Sequence, residues 1–273
     1  RIMLSPVLAG EKAFEDIVIH PLSWYAERGI TLLAGHTVTG VDRVQRCVTT
    51  DQGAVVSYDR LLLATGSVPF MIPMPGHDHP DVISFRDIAD VRRMLEPSAT
   101  LPRVVVLGGS LLGLEAANGL VKQGMAVTVV NDAAYLLNRQ LDEEASSLLR
   151  AALEAKGIVF KVSAVTSHIS HNADTGKLNA LHFKDGTELS CDLLVMAVGV
   201  RPNVALARSI GLQVDKAILV NDTMQTFDPR IYAVGECVQH RGALFGLVAP
   251  LYDQAKVCAN HLAEMGISRY EQK

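Results

Sequence analysis

Two rhythms of apolar residues alternate along this chain and outline its architecture. Short, unbroken apolar runs closed by glycine or proline predict buried strands at Leu61–Leu63, Arg103–Leu107, Ala126–Val130 and 193–198. Alternating stretches predict exposed-face strands at 30–33 and 37–41, and a hairpin from 46–50 to 54–58 around Asp51, Gln52 and Gly53. Further strands are expected at 158–162, 165–170, Leu178–Phe183, Ile218–Val220 and 231–234, with a tight turn at Asp185 and Gly186. Spacings of three and four predict a short helix over 21–28 carrying Trp24 and Tyr25. Within 85–95 a last strand residue leads into another helix, and a third follows Ser110 and ends near Gly124. A fourth helix covers 142–156, with Asp142 as N-cap, Glu143 and Glu144 in its first turn and Gly157 as its stop. A closing helix starts near Pro250, turns Ala255, Cys258, Ala259 and Leu262 inward, and stops at Gly266. Pro69, Pro73, Pro75 and Gly76 mark a stiff extended crossing, and the aperiodic stretch 97–102 marks a domain crossing.

Inside this pattern the stretch RVVVLGGSLLGLEAANGLVKQGMAVTVVN, residues 103–131, reads as strand, glycine turn, helix, strand. Gly108, Gly109, Ser110 and Gly113 stand where a dinucleotide-binding turn needs small residues. Gly108 permits the tight turn, position 110 lets backbone approach a pyrophosphate, and Gly113 lets helix and strand lie close. Free N–H groups at the helix start then face the phosphates. Ser110 departs from glycine at the second motif position, although its hydroxyl offers a phosphate a hydrogen bond. Asn131 falls where the adenosine ribose is met. It is neither the acid expected for a 2′-hydroxyl nor the arginine expected for a 2′-phosphate. Asp132 beside it disfavours an extra phosphate, which points to NADH. The bland alternative is a glycine-rich helix entry that binds nothing.

Composition narrows the function classes. With 273 residues the chain has room for about two domains. Its 25 basic and 29 acidic residues leave a formal net charge of -4 without any like-charge block, which argues against nucleic acid and anionic membranes. The apolar run 104–120 contains Glu115 and several glycines, so it does not read as a membrane span. Cys47, Cys191, Cys237 and Cys258 are far apart with no C-x-x-C pair, as expected of free thiols in a reducing cytoplasm. The histidines are scattered without metal-ligand spacing, so no metal site is expected.

Two apolar strands end in small-residue turns, Ala64-Thr65-Gly66 and Ala197-Val198-Gly199, on either side of the glycine motif. That doubling suggests two nucleotide-binding units, one inserted into the other. The segments LSPVLAGEK, LLLATGS, GLLGLEAANGL, RQLD, AVGVRPN, DTMQT, IYAVGECVQHRG and GLVAP resemble the two-dinucleotide flavoprotein reductases. They are similar above all to the flavin-bearing region of the large subunit of NAD(P)H-dependent nitrite reductases. The resemblance spans essentially the whole chain. It implies an α/β fold of two Rossmann-like units, with an NAD(P)H unit at 101–221 inserted into an N-terminally incomplete FAD unit at 1–100 and 222–273.

The resemblance also implies roles. Arg1, Leu4 and Ser5 match a segment lying against the flavin, Ala64, Thr65 and Gly66 a turn near the FAD, and Gly199 the corresponding turn of the second unit. Glu236, after Gly235, stands where relatives hold the ribityl hydroxyl, usually with aspartate; the extra methylene leaves both acceptor oxygens. The closing helix would aim its N-terminus at the flavin, where reduction places negative charge. Glu115 would reach the nicotinamide end of the coenzyme, and His240 and Arg241 near the flavin are candidates for contact with cofactor or partner, the favoured reading being plain surface residues. The implied chemistry is hydride transfer from NAD(P)H to FAD, with single electrons leaving for a metal centre elsewhere. No cysteine cluster could hold siroheme or iron–sulfur, so those groups are expected only outside this chain. The partners would be nucleotides and a redox acceptor domain or protein. A rubredoxin or ferredoxin reductase stays open, as does a nucleotide-binding module without turnover. A first strand and glycine turn of the FAD half are not found before residue 1. The chain therefore reads as an excised middle, expected to hold FAD poorly and to dimerise or be disordered near residues 1–60.

Overall fold

The structure is a computed structural model and describes residues 2–96, 102–266 and 268–272. The chain forms two compact units, Arg1–Pro21 with Pro69–Val200 and Leu22–Val68 with Arg201–Lys273.

The first unit is built on a five-stranded parallel sheet. Its order is Val82–Ser84, Leu193–Met196, Arg103–Leu107, Ala126–Val130, Val159–Lys161. The three central strands, Leu193–Met196, Arg103–Leu107 and Ala126–Val130, are largely buried and read as nearly continuous apolar runs without alternation. Alternate side chains nonetheless enter different cores. Val104, Val106, Val127, Val129 and Val195 meet the helices. Val105, Leu107, Leu194 and Met196 meet Ile169, Leu178, Leu181 and Phe183 of an antiparallel sheet, Thr166–His171, Leu178–Phe183 and Glu188–Ser190. On the helical side lie Leu111–Lys122 and Glu143–Glu154, the latter capped at Asp142, whose carboxylate accepts from Ala145 N–H at 2.8 Å. The helix Ile88–Leu95 begins with a capping box between Asp87 and Asp90. At the N-terminal end of the central strands, Asp192 accepts from the Arg103 guanidinium at 2.7 and 3.1 Å and from its backbone N–H at 2.8 Å.

One element of this unit is invisible to periodicity. Leu4–Leu8 is a single helical turn that packs on the helices Leu111–Lys122 and Ile88–Leu95. Leu8 is 0% exposed, and a β-carbon on Gly119 would lie 2.8 Å from its Cγ. The bare helix surface at Gly119 is thus the seat of this turn.

The second unit holds a parallel pair, Leu61–Leu63 with Ile231–Ala233, and a sheet of Ile218–Val220, Val238–His240 and Ala243–Leu244. It also holds the expected hairpin Cys47–Thr50 and Val55–Ser57, extended by Val38–Asp42. Its core gathers Leu63, Ile218, Met224, Ile231, Tyr232 and Val238 under the helix Val248–Leu262.

Several expectations are corrected. No strand forms at 30–33, where Ile30, Leu32 and Leu33 are exposed and find no neighbouring ladder. Leu61–Leu63 is only half buried, Leu62 being 43% exposed, because among the described residues its strand has one partner. The closing helix begins at Val248, which puts Pro250 in its first turn, where a missing N–H costs nothing. It buries Gln254, Val257 and Cys258 and packs Leu262 on the core, so Cys258 and Leu262 face inward as expected while Ala255 and Ala259 face outward. The compact units also differ from the expected division at 101 and 221. Val82–Ser84 is an edge strand of the parallel sheet and the turn Leu4–Leu8 is part of its helical core, so both belong with the glycine motif. The expected crossing at 97–102 lies almost wholly outside the described residues.

Two outcomes are expected. Leu8→Ala should destabilise the protein by about 2 to 5 kcal/mol in urea unfolding, the range for emptying a core leucine site, although the turn that carries Leu8 is only five residues long. Arg103 holds the Asp192 carboxyl below the usual carboxylate range. The folded state therefore binds that proton less readily than the unfolded chain. This contribution is complete above a pH of about 4 and fades as pH falls toward the lowered value. Asp192→Asn should flatten the acid limb of a stability-versus-pH curve and leave its neutral shape unchanged.

Candidate functional site

In the first unit the chain leaves the strand Arg103–Leu107 in one direction, toward Ala126–Val130, while Leu193–Met196 lies on its other side. The strand order reverses between these two central strands, which opens a crevice at their carboxyl ends where open α/β sheets take ligands. Gly108 to Gly113 line that crevice.

Backbone contact fixes the residue types of the turn. Gly108 has φ +120, and a β-carbon there would lie 2.5 Å from the carbonyl oxygen of Ala197. A β-carbon on Gly113 would collide with the carbonyl oxygen of Gly108. Helix, turn and opposite strand are thus in backbone contact, which only glycine allows. Ser110 is the N-cap of the helix Leu111–Lys122, but its side chain makes no cap hydrogen bond. Its hydroxyl donates instead to Ala197 O at 2.9 Å, tying the turn to the end of Leu193–Met196. The N–H groups of the first helical turn are left available to an anion.

The neighbouring positions differ from expectation in instructive ways. Glu115 lies in the second turn of that helix, not the first; its exposed carboxylate accepts from Ser5 Oγ at 2.5 Å. Ser5 is delivered by the turn Leu4–Leu8, whose Leu4 is buried in the helical core. Arg1 lies outside the described residues. Asn131, expected at the ribose, is buried and bonded within the protein, its Oδ1 accepting from Gly109 N–H at 3.1 Å. Asp132 is exposed and makes no hydrogen bond or ion pair among the described residues. Gly199 is exposed at φ +120, and its carbonyl accepts from Phe70 N–H at 3.0 Å.

A second constellation lies in the other unit. Thr65 Oγ1 donates to Asn203 O at 2.7 Å, and Asn203 N–H donates to Gly66 O at 2.9 Å, so the turn at Thr65 and Gly66 is bound to the segment at Asn203. Ala64 beside them is exposed. Glu236 is 7% exposed and accepts from Ser67 Oγ at 2.8 Å. Gly235, at φ +92, donates its N–H to Gln254 Oε1 at 2.9 Å, while Gln254 Nε2 is buried with no partner. A cavity of about 300 Å³ opens at the start of the helix Val248–Leu262, between Leu244–Leu247, Pro250, Asp253 and the segment from Tyr270 to Gln272. A buried carboxylate, an unused amide donor and an uncapped helix N-terminus in one unit fit a polar cofactor that offers hydroxyls and negative charge. Gln254 was missed because its value lies in the Gly235 N–H, which sequence spacing does not reveal.

His240 and Arg241 were expected on the surface. His240 is instead buried, its Nε2 2.9 Å from Asp222 Oδ1, and Arg241 forks onto the same carboxylate at 2.7 and 3.0 Å. Arg241 and then His240 hold the Asp222 carboxyl below its ordinary range. This is a structural cluster. The four cysteines are free, and burial pushes the Cys191 thiol up to about 12 and that of Cys258 to about 11, far from nucleophilic use at neutral pH. Among the described residues no cluster could hold a metal ion, and no helix is long and apolar enough to cross a membrane.

Comparison with known proteins agrees with this picture. Residues 1–260 match the family described as pyridine nucleotide-disulphide oxidoreductase. The chain is 47% identical over 271 residues to the nitrite reductase [NAD(P)H] of Bacillus subtilis (strain 168), covering 99% of this chain and 33% of that protein. It is 45% identical to the assimilatory nitrate reductase electron transfer subunit of the same organism, covering 99% of this chain and 35% of that one. The chain thus spans about a third of the length of these curated relatives. Among solved structures, the covalent putidaredoxin reductase–putidaredoxin complex matches with a TM-score of 0.90 at 30% identity, over 99% of this chain and 67% of that one.

The turn geometry gives a graded expectation. Gly108→Ala, strained in φ and in contact with Ala197 O, should weaken dinucleotide binding by about 10 to 100-fold, the worth of roughly 1 to 3 kcal/mol of backbone strain. Ser110→Ala removes one hydroxyl bond and should cost about 0.5 to 1.5 kcal/mol of stability with little change in affinity. Calorimetric titration with NADH and thermal unfolding of both variants separate the two effects.

Proposed function

The chain belongs to the pyridine nucleotide-disulphide oxidoreductase family, and from that premise we propose that it is an electron-transfer module carrying reducing equivalents from NAD(P)H to FAD. The unit containing the glycine motif would hold NAD(P)H, and the unit containing Glu236 would hold FAD. The observation that carries the proposal is the turn at Gly108 to Gly113, at the topological switch point of a parallel sheet, with backbone contacts that demand glycine. When bound, the nicotinamide and flavin supply hydride transfer and the release of single electrons.

The protein's own contribution is position and charge. N–H groups at the start of Leu111–Lys122 would receive the pyrophosphate of the nicotinamide coenzyme. Glu115, exposed on that helix, would accept from the carboxamide at the nicotinamide end, and Ser5 would orient its carboxylate. Glu236 would accept from a flavin side-chain hydroxyl, with Ser67 holding its other side. The N-terminal turn of Val248–Leu262 would face the negative edge of the reduced flavin. Thr65, its hydroxyl hydrogen already given to Asn203 O, would shape the turn beside the cofactor and could meet it only as an acceptor through that oxygen. NADH is favoured over NADPH because the exposed, unpartnered Asp132 would repel a 2′-phosphate.

The electrons would pass to an acceptor domain or protein, and the likeness to a nitrite reductase and to a nitrate reductase electron transfer subunit supports nitrogen-oxide reduction as the destination. Siroheme and iron–sulfur centres would then lie outside this chain. The likeness to a putidaredoxin reductase joined to putidaredoxin favours the second reading, delivery to a separate acceptor protein of the rubredoxin or ferredoxin kind. Four free cysteines suit the cytoplasm.

In FAD-loaded protein, Glu115→Ala should slow bleaching of the flavin by NADH about tenfold or more while flavin retention stays unchanged. Stopped-flow absorbance measures the rate; an unchanged rate removes Glu115 from the mechanism. Absence of saturable NADH binding at millimolar concentration would remove the whole proposal.

A further inference from the structure

Asn131 stands where a Rossmann motif places the residue that reads the adenosine ribose, yet its surroundings give it different work. It is the first residue after Ala126–Val130 and is 9% exposed. Its Oδ1 accepts from Gly109 N–H at 3.1 Å, and its Nδ2 donates to Ala133 O at 3.3 Å and to Tyr135 O at 3.1 Å. A primary amide has two N–H donors. Both are used on carbonyls of the following loop, so neither remains for a ribose oxygen, and the amide oxygen, one of its two lone pairs taken by Gly109 N–H, is directed at the glycine turn. Its backbone is equally engaged, the N–H donating to Lys161 O at 2.9 Å and the carbonyl accepting from Ala164 N–H at 3.0 Å.

The turn is shaped around this amide. A β-carbon on Gly109 would lie 2.9 Å from Asn131 Cγ, so glycine at 109 and asparagine at 131 form one fitted pair. The carbonyl of Gly109 accepts from Leu137 N–H at 3.0 Å, which binds the same loop to the turn a second time. An acid at 131 would keep the acceptor for Gly109, but it would set a carboxylate against the carbonyls of Ala133 and Tyr135 with no hydrogen to give them. That conflict is a physical reason for the amide at a position where the motif leads one to expect an acid.

We infer that Asn131 is a positioning residue that fixes the Gly108–Gly109–Ser110 turn for a pyrophosphate, and that it does not read the ribose 2′-hydroxyl. The inference deepens the proposed coenzyme site and rests on it for its ligand. The full chain and its Asn131→Asp and Asn131→Leu variants would be titrated with NADH and with the analogue lacking the adenosine 2′-hydroxyl. Hydrogen exchange of the Gly109 amide would be followed by NMR in the ligand-free proteins. Asn131→Leu should weaken both dinucleotides by the same factor, about tenfold or more. Asn131→Asp, which keeps the acceptor for Gly109, should lose less, again equally for both. Gly109 exchange should accelerate about tenfold or more in the leucine variant and by less in the aspartate variant. A loss confined to NADH, with the 2′-deoxy analogue unaffected, would make Asn131 a ribose reader and overturn the inference. Unchanged Gly109 exchange would overturn it too. Failure of the wild-type chain to bind either dinucleotide would count against the coenzyme site alone, since Gly109 exchange would still decide whether the amide braces the turn.

Discussion

Backbone-to-backbone contact at the head of the central strands is the constraint on which the first unit depends. The Cα of Gly108 faces Ala197 O so closely that a β-carbon there would lie 2.5 Å from it, and Gly113 abuts Gly108 O in the same way. Because side chains are excluded from these points, the helix Leu111–Lys122 sits low on the sheet and its first N–H groups open onto the crevice. Ser110 and Asn131 then hold the turn from opposite sides, one through Ala197 O and the other through Gly109 N–H. A loop positioned this firmly needs little rearrangement to receive an anion, and so loses little affinity to ordering.

The second unit is organised differently. Its parallel strands occur as short pieces, and its polar groups converge on the turn at Gly235 and Glu236. Burying an amide N–H without a hydrogen bond is costly, so the unpartnered Gln254 Nε2 is a place in this unit where a polar ligand would bring a gain. Asp222 and Arg241 show a contrasting case, in which charge is matched inside the protein.

Much of the architecture could be read directly from residue order. The strands Arg103–Leu107 and Ala126–Val130, the helix between them, the Asp142 cap and the hairpin around Gly53 all depend on neighbours within a few positions, where propensity, capping and turn chemistry act. The glycine motif was legible for the same reason. Where the reading went astray, the deciding partner was remote. Residues 30–33 alternate like a strand but have no ladder to join, and the buried face of Val248–Leu262 takes in Gln254, which reaches Gly235, where Ala255 and Ala259 face outward.

By itself, then, the sequence determined the βαβ unit, the identity of its small residues and the family likeness, because these are local patterns with fixed spacing. Tertiary structure alone decided what the side chains do. The turn Leu4–Leu8 is too short to show a period and exists because Gly119 leaves a seat for Leu8, which carries Ser5 across 110 residues of chain to Glu115. Asn131 changes from an expected ligand contact to a brace because its partners at 109, 133 and 135 come together only when strand, turn and loop have folded. Hydrogen-bonding capacity is finite, and only the folded neighbourhood decides whether protein or ligand receives it.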